Sequence, residues 1–455
     1  MSEQAQTNTK HRFSFWYVIA ITVLGLIAAF GIYRLTVRAK LQQRIEALRA
    51  AGYPVTPAEL DAWYEMPPYG ENAAEYVTTA ISYLKIPSAL DAENLPLFHR
   101  GELPPRTQPL DEEMKALIGQ VLDDNQKVFE LLRQATTLRS SRYPTDLSQG
   151  HAALLPHLGD LRKLVYLLCL KAFVEIERGQ SKAAVDALAD AFHVADSMAQ
   201  EPLSISQLVR QACQTVAVSA TERVTNRISL EEQCLARLDE ILSTAYDPNA
   251  SICGFVGERC ATIQVFELPD NLGLAPVFAA NEPSLLQLRL AQALGQTDRF
   301  LVRYIDLTER QIAALSLPPH ERMSVAREIE SQASQLRKEY KSPGFFMASL
   351  GPFIENDLVN LARLHVAHVG VAVERYRVAH GALPDHLNEL VPAFLETAPT
   401  DPYDGQPLRY RRLSPGFVVY SIGKDLSDDG GSERPRRKRG AQPTPHYDIP
   451  FTVAR

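Results

Sequence analysis

The sequence predicts a mainly α-helical protein in three parts: an N-terminal transmembrane helix, a long α-helical domain and a small α+β head at the C-terminus. Three observations carry this. A charge-free run fills residues 13–33, apolar residues recur at intervals of three and four through most of the chain, and only near the C-terminus do two short β-like runs replace that spacing. On this pattern residues 1–12 are a tail and 13–33 a membrane span. Residues 34–110 form a stalk and proline-rich connector with short helices, 111–350 the helical domain and 351–455 the head.

The 21 residues from Phe13 to Tyr33 lie between Arg12 and Arg34 and include no charge. At about 1.5 Å per helical residue, such a run just covers the roughly 30 Å of bilayer hydrocarbon. Trp16, Tyr17 and Tyr33 stand near its ends, where amphipathic rings favour the headgroup layer. The stretch exceeds an ordinary signal-peptide core and no clear A-x-A site follows, so a retained anchor is expected. Lys10 and Arg12 precede it while Arg34, Arg38, Lys40 and Arg44 follow; taken alone, this charge bias puts the C-terminal flank in the cytoplasm.

Over the whole chain, anchor included, the composition is 45% hydrophobic and 22% charged, ordinary for a water-soluble protein. With 47 Lys and Arg against 54 Asp and Glu, the net charge of -7 excludes a general basic field, so no specific nucleic-acid partner is expected. The cysteines, Cys169, Cys213, Cys234, Cys253 and Cys260, are odd in number and contain no C-x-x-C pair. They read as small buried hydrophobes, with a Cys253–Cys260 bridge the alternative in an oxidising space.

Thr56-Pro57-Ala58-Glu59 offers a hydroxyl cap, proline at the first helical position and a carboxylate at the third, which marks a helix start. A second helix is expected from Asn72 to Leu84, then a proline-rich connector. From Asp111 to Leu138 the apolar positions trace one face of a long amphipathic helix. The same spacing returns over Leu161 to Arg178, Ala183 to Met198, Ile205 to Asn226, Leu230 to Thr244, Ser284 to Leu315 and Ser324 to Tyr340. Ser229 with Glu232 reads as a further capping box. Residues 165–196, with Ala172, Gly179, Ala184 and Ala191, look like one tetratricopeptide hairpin; a peptide-binding array needs about three such repeats, so plain helix packing is the expected use.

From Gly351 a long helix through Leu358, Leu361, Val369, Val373 and Tyr376 is expected to end at Gly381, and a short one to cover Asp385 to Phe394. Turn formers crowd Pro399 to Pro407. Two β-like runs follow, Leu408 to Leu413 and Phe417 to Ile422, joined by Ser414-Pro415-Gly416 into a hairpin, with a last strand at Ile449 to Val453.

The order Tyr376-Arg377, Gly381, Pro384, Leu387, Leu390-Val391-Pro392, Asp401-Pro402-Tyr403, Gly405-Gln406-Pro407, Tyr410 and Tyr420-Ser421-Ile422-Gly423 is distinctive. With the aspartate-glycine loop behind it, the stretch from about Glu374 to Gly431 resembles the globular domain of the major pseudopilin, protein G, of bacterial type II secretion. In that family the loop after Tyr-Ser-x-Gly binds calcium. The resemblance therefore implies calcium ligation by Asp425, Asp428 and Asp429, with a late contribution from Asp448, and the oxygen-rich loop suits that hard cation. It also implies a head that works outside the cytoplasm, hence an N-in, C-out inner-membrane topology against the charge bias.

Three features depart from the family. No glycine precedes Phe13 to make a pseudopilin processing site, and more than 300 residues separate anchor from head. The basic run Arg434-Pro435-Arg436-Arg437-Lys438-Arg439 also interrupts the acidic loop. No arrangement of acid, base and nucleophile stands out. His365 and His368, at i and i+3, are the one metal-ligand pair worth weighing, with His380 farther along. The expected function is a structural or interaction role with an unknown protein partner. A membrane-tethered hydrolase with its active centre in the helical domain and the histidines or aspartates as metal ligands, or a helical scaffold binding a peptide partner, are the alternatives.

Overall fold

The structure is a computed structural model that describes residues 3–267, 285–340, 350–433 and 447–455. Helix α1 runs unbroken from Glu3 to Ala50, and its apolar portion from Phe15 is exposed, long and apolar enough to cross a membrane. The helix does not stop where the apolar run does. Val37, Leu41, Ile45 and Leu48 turn inward, as an i, i+4, i+8, i+11 stripe must, and bury against the folded domain.

The next elements follow their sequence signals closely. Helix α2 (Pro57–Trp63) starts as predicted: Glu59 N donates to Thr56 Oγ1 at 3.2 Å. The Glu59 carboxylate reaches one residue farther back than a standard capping box, accepting from Val55 N at 2.8 Å while pairing with Arg49. Asn72 caps α3 (Ala73–Tyr83). The predicted helix over Asp111 to Leu138 is instead two, α4 (Glu112–Asp124) and α5 (Gln126–Ala135). Buried Asn125 breaks it. Its side chain accepts from Lys85 N at 2.8 Å and donates to Lys85 O and Val121 O at 2.7 Å each, so the amide serves the connector rather than the solvent.

Helices α6 (Pro156–Glu177) and α7 (Ser181–Asp196) make the expected hairpin, with Ala172, Ala184 and Ala191 buried at their contact. Helix α8 (Ser204–Arg227) follows, then α9 (Glu232–Thr244). The predicted Ser229 capping box does not form: α9 has no side-chain cap, and the Glu232 carboxylate is taken by Arg375 at 2.9 Å. Helix α10 (Pro248–Glu267) was not anticipated from the sequence. It carries both Cys253 and Cys260, about 10 Å apart along its axis, beyond disulfide reach. All five thiols are free, four of them buried.

The predicted helix over Ser284 to Leu315 is also divided, into α11 (Leu285–Ala293) and α12 (Gln296–Leu315), at Gly295. Helix α13 (Pro319–Tyr340) packs on α12, and α14 (Leu350–His380) packs on α8, α9 and α13. Helix α14 ends at Gly381 as expected, where φ is 71° and the amide donates to Arg377 O at 2.9 Å.

The head is built on α14. A 3₁₀ turn, Leu387–Leu390, replaces the short helix predicted over Asp385 to Phe394. Strands β1 (Arg409–Arg412), β2 (Phe417–Ser421) and β3 (Ile449–Val453) form one antiparallel sheet in the order β1-β2-β3, with Tyr410 opposite Val419 and Val419 opposite Phe451. Central β2 is buried throughout. The sheet lies so close to α14 that a Cβ at Gly370 would come within 2.3 Å of the Phe451 ring.

Strand β3 has a free edge, and α8 covers it. Thr452 N donates to Glu222 Oε1 at 2.6 Å, Asn226 donates to Thr452 O at 2.6 Å, and Ala454 N donates to Asn226 Oδ1 at 2.8 Å. These side chains replace a missing neighbour strand along the β3 edge, which hinders pairing with another chain there. Head and helices thus share one hydrophobic core that runs from Leu60 through Leu164 and Leu358 to Phe451.

Burial pushes the Glu222 carboxyl up to about 7, against the opposing pull of Arg106 and the Thr452 amide. A folded-state value above the unfolded one means the native protein binds the extra proton, so this group's contribution weakens as pH rises from about 4.5 to 7. Comparing pH-dependent stability of the wild type with Glu222→Gln should show the wild type losing up to about 1.4 kcal/mol more per pH unit across that window. Parallel curves would remove Glu222 from the junction's titration.

Candidate metal centre

The acidic loop begins where β2 ends, and its position depends on one buried carboxylate. Asp401, fully buried, accepts from Ser421 Oγ at 2.8 Å and Tyr403 N at 3.0 Å through Oδ1. Its Oδ2 accepts from Ile422 N and from Arg409 at 2.9 Å each. Arg409 in turn bridges to Asp404. The turn cluster read in the sequence as chain-reversing punctuation is therefore also the clamp that holds Ser421 and Ile422, immediately before the loop.

From Gly423 the chain circles through Lys424 to Glu433 and returns at Tyr447. Asp425 Oδ1 accepts from Ser427 N at 3.3 Å, and half-exposed Leu426 takes a left-handed φ of 59°. Asp428 is exposed and accepts from Tyr420 OH at 3.0 Å and Gly430 N at 2.9 Å. Asp448 is 1% exposed; its Oδ2 accepts from Gly431 N at 2.6 Å, and its own amide donates to Ser432 O at 3.0 Å. All four predicted ligands thus belong to one loop and the strand start beneath it.

Asp429 Oδ2 and Asp448 Oδ1 are among the oxygens of this group buried without a hydrogen-bond partner. A buried carboxylate oxygen left unpaired is costly unless a cation or water meets it. Burial holds the Asp448 carboxyl above the usual range, and the charges of Asp428 and Asp429 add to that. The donor chemistry fits calcium, which takes hard oxygens from carboxylates and from a glycine-rich turn. The geometry is not a closed cage: among the described residues no three His, Cys, Asp or Glu side chains are drawn to a common metal position. The basic run from Arg434 to Arg439 lies outside the described residues.

The histidine pair separates. His365 Nδ1 contacts Thr400 O at 3.1 Å, while His368 Nε2 meets Asp239 Oδ1 at 3.0 Å. Each ring braces α14 against a different neighbour, and burial holds the His365 ring down to about 4, so it stays neutral. His380 stacks on Tyr376, ring centroids 4.1 Å apart.

Two other histidines, which the sequence did not single out, sit in carboxylate relays. His157 Nε2 lies 3.1 Å from Glu201, and its ring stacks on Tyr143. His151 Nε2 lies 3.2 Å from Thr262 Oγ1, with Nδ1 3.7 Å from Glu258. That second set has the order hydroxyl, imidazole, carboxylate, but Thr262 is completely buried and is also bonded to Tyr304 OH at 3.1 Å. It ties α10 to α12 and to the turn at Leu147–Ala152.

The largest feature missed is a buried polar junction. Gln207, Arg210, Gln211 and Gln214 follow one another at helical spacing on α8 and are all buried. Opposite them on α14, Asp357 accepts from Ser251 Oγ at 2.7 Å, Tyr246 OH at 2.8 Å, and Arg322 and Gln211 at 3.4 Å each. Asn360 donates to Gln214 Oε1 at 2.8 Å. A polar stripe at intervals of three and four on a helix between apolar ones was the available signal.

With this geometry in hand, comparison with known proteins finds no matching family, no similar curated protein and no similar solved structure.

Proposed function

We propose that this chain is a single-pass protein of the bacterial inner membrane, tethered through residues 13–33, with most of its mass outside the cytoplasm. It serves a structural or interaction role toward a protein partner and is not an enzyme. Its C-terminal head is similar to the globular domain of the major type II secretion pseudopilin, and the acidic loop of that head takes calcium.

The observation that carries the anchor is the exposed apolar length of α1, continuous with residues that pack into the folded domain. A permanent tether needs both properties. The observation that carries calcium is the pair of buried, unpartnered oxygens on Asp429 and Asp448 within a loop of four carboxylates. The outward orientation rests on the pseudopilin likeness. Placing residue 455 in the cytoplasm by reporter fusion would overturn it.

The calcium reading has a direct thermodynamic consequence. A ligand bound only by the folded state stabilises it by about 2.7 kcal/mol at a hundredfold excess over its dissociation constant. Thermal unfolding of the full chain in detergent should shift upward with millimolar calcium relative to chelator. The shift should vanish in Asp429→Ala and in Asp448→Asn. No shift in the wild type would remove the metal.

A further inference from the structure

Helix α11 ends beside the membrane end of the anchor. Arg34 and Arg38 both pair with Asp298, at 3.2 and 3.5 Å, and Arg44 pairs with Asp306 at 3.0 Å. Rising numbers on α1 thus meet rising numbers on α12: the two helices run parallel, and α12 starts at the level of Arg34, immediately after the apolar span. Gly295, between α11 and α12, sits directly on that side chain; a Cβ there would come within 2.3 Å of Arg34 Nη1.

At this corner Leu290 of α11 and Leu294, which continues its last turn, face solvent, 53% and 47% exposed. They are one helical turn apart and so on one face. The opposite side of α11 is engaged: Gln292 donates to Phe266 O at 3.0 Å, and Phe266 packs on Phe300, centroids 4.7 Å apart. The exposed leucines therefore belong to a helix held in place, next to the point where α1 leaves the apolar region.

We infer that this face of α11 rests in the interfacial layer of the same membrane that α1 spans, making a second, lipid contact that fixes how the domain stands on the bilayer. The inference rests on the anchor reading given above. Continuity chooses the occupant: a bilayer crossed by residues 13–33 ends beside Arg34, within reach of side chains packed at Gly295. Apolar side chains beside basic ones suit that layer, where leucines reach the acyl boundary and arginines the headgroups.

The test uses the full chain in nanodiscs of phosphatidylethanolamine and phosphatidylglycerol, with a photoreactive benzophenone amino acid at one position at a time. Leu26, exposed within the apolar span, reports the anchor. Val378, exposed in the head, is the remote control. The head meets the chain beyond the far end of α12, where Gly405 lies against His320, and the 20 residues of α12 cover about 30 Å. Irradiation is expected to add the mass of one phospholipid at Leu26, Leu290 and Leu294 and none at Val378. Adducts at Leu26 without any at Leu290 and Leu294 would overturn the lipid contact and leave the anchor standing. Absence at Leu26 would remove both, and equal labelling at Val378 would also overturn the contact, since it would then be indiscriminate.

Discussion

Asp401→Ala is expected to cost about 3–5 kcal/mol of stability and to abolish any response to calcium. The magnitude follows from what the substitution strands. Ser421 Oγ, Ile422 N and Tyr403 N lose their acceptor in a fully buried place, and Arg409 loses one of its two carboxylates. Each unsatisfied buried group costs on the order of 1–3 kcal/mol, and the losses overlap because they share one oxygen pair. The functional consequence follows from position: the residues released are the two immediately before the acidic loop. Denaturant unfolding of the full chain in detergent, with and without calcium, reads both effects. Asp401→Asn separates them, since the amide keeps one acceptor for Ser421 and Tyr403 but offers a donor to Ile422 N and Arg409. Wild-type stability in Asp401→Ala would show that the hairpin holds the loop unaided.

Asp401 also shows where the sequence was readable. Asp-Pro-Tyr and Asp-Gly announced turns, because proline and glycine restrict or free the backbone locally. That a carboxylate in the first of them bonds Ser421 and Ile422, some 20 residues later, depends on hairpin register, which local preference does not encode. The same division runs through the molecule. The exposed apolar helix, the mainly helical body and the small sheet were legible because their signals are periodic and local. The breaks at Asn125 and Gly295 were not, since the apolar spacing continues through both. Nor was the docking of β3, because Glu222 and Asn226 act as a neighbouring strand only once the chain has returned 226 residues later. Helix α10 escaped notice for a related reason: it is buried on several sides by Phe255, Val256, Cys260 and Ile263, so no single amphipathic stripe marks it.

Asp357→Ala is expected to be the other severe substitution, and its effect should reach both ends of the protein. The carboxylate is 1% exposed, and burial holds it above the ordinary range, yet three donors besides Arg322 are arranged around it. Removing it leaves the Arg322 cation, itself 5% exposed, without its counter-charge, at a cost of about 3–5 kcal/mol. Replacing both partners together, Arg322→Met with Asp357→Leu, takes away the stranded charge as well. The double variant should therefore lose less than the two single variants added, with a coupling of about 2 kcal/mol in a denaturant double-mutant cycle. Additive losses would show that the pair is not the unit. What makes the junction more than a local bond is its place in the chain of contacts. The anchor helix packs on α12, α12 on α13, and Arg322 of α13 meets Asp357 of α14, on which the head is built. An interaction that links α1 and α12 to the head sets whether the head is carried at a fixed attitude or on a loose joint. In Asp357→Ala, hydrogen exchange should accordingly quicken in α13 and in β3 while α6 and α7, which lie off that path, keep their protection.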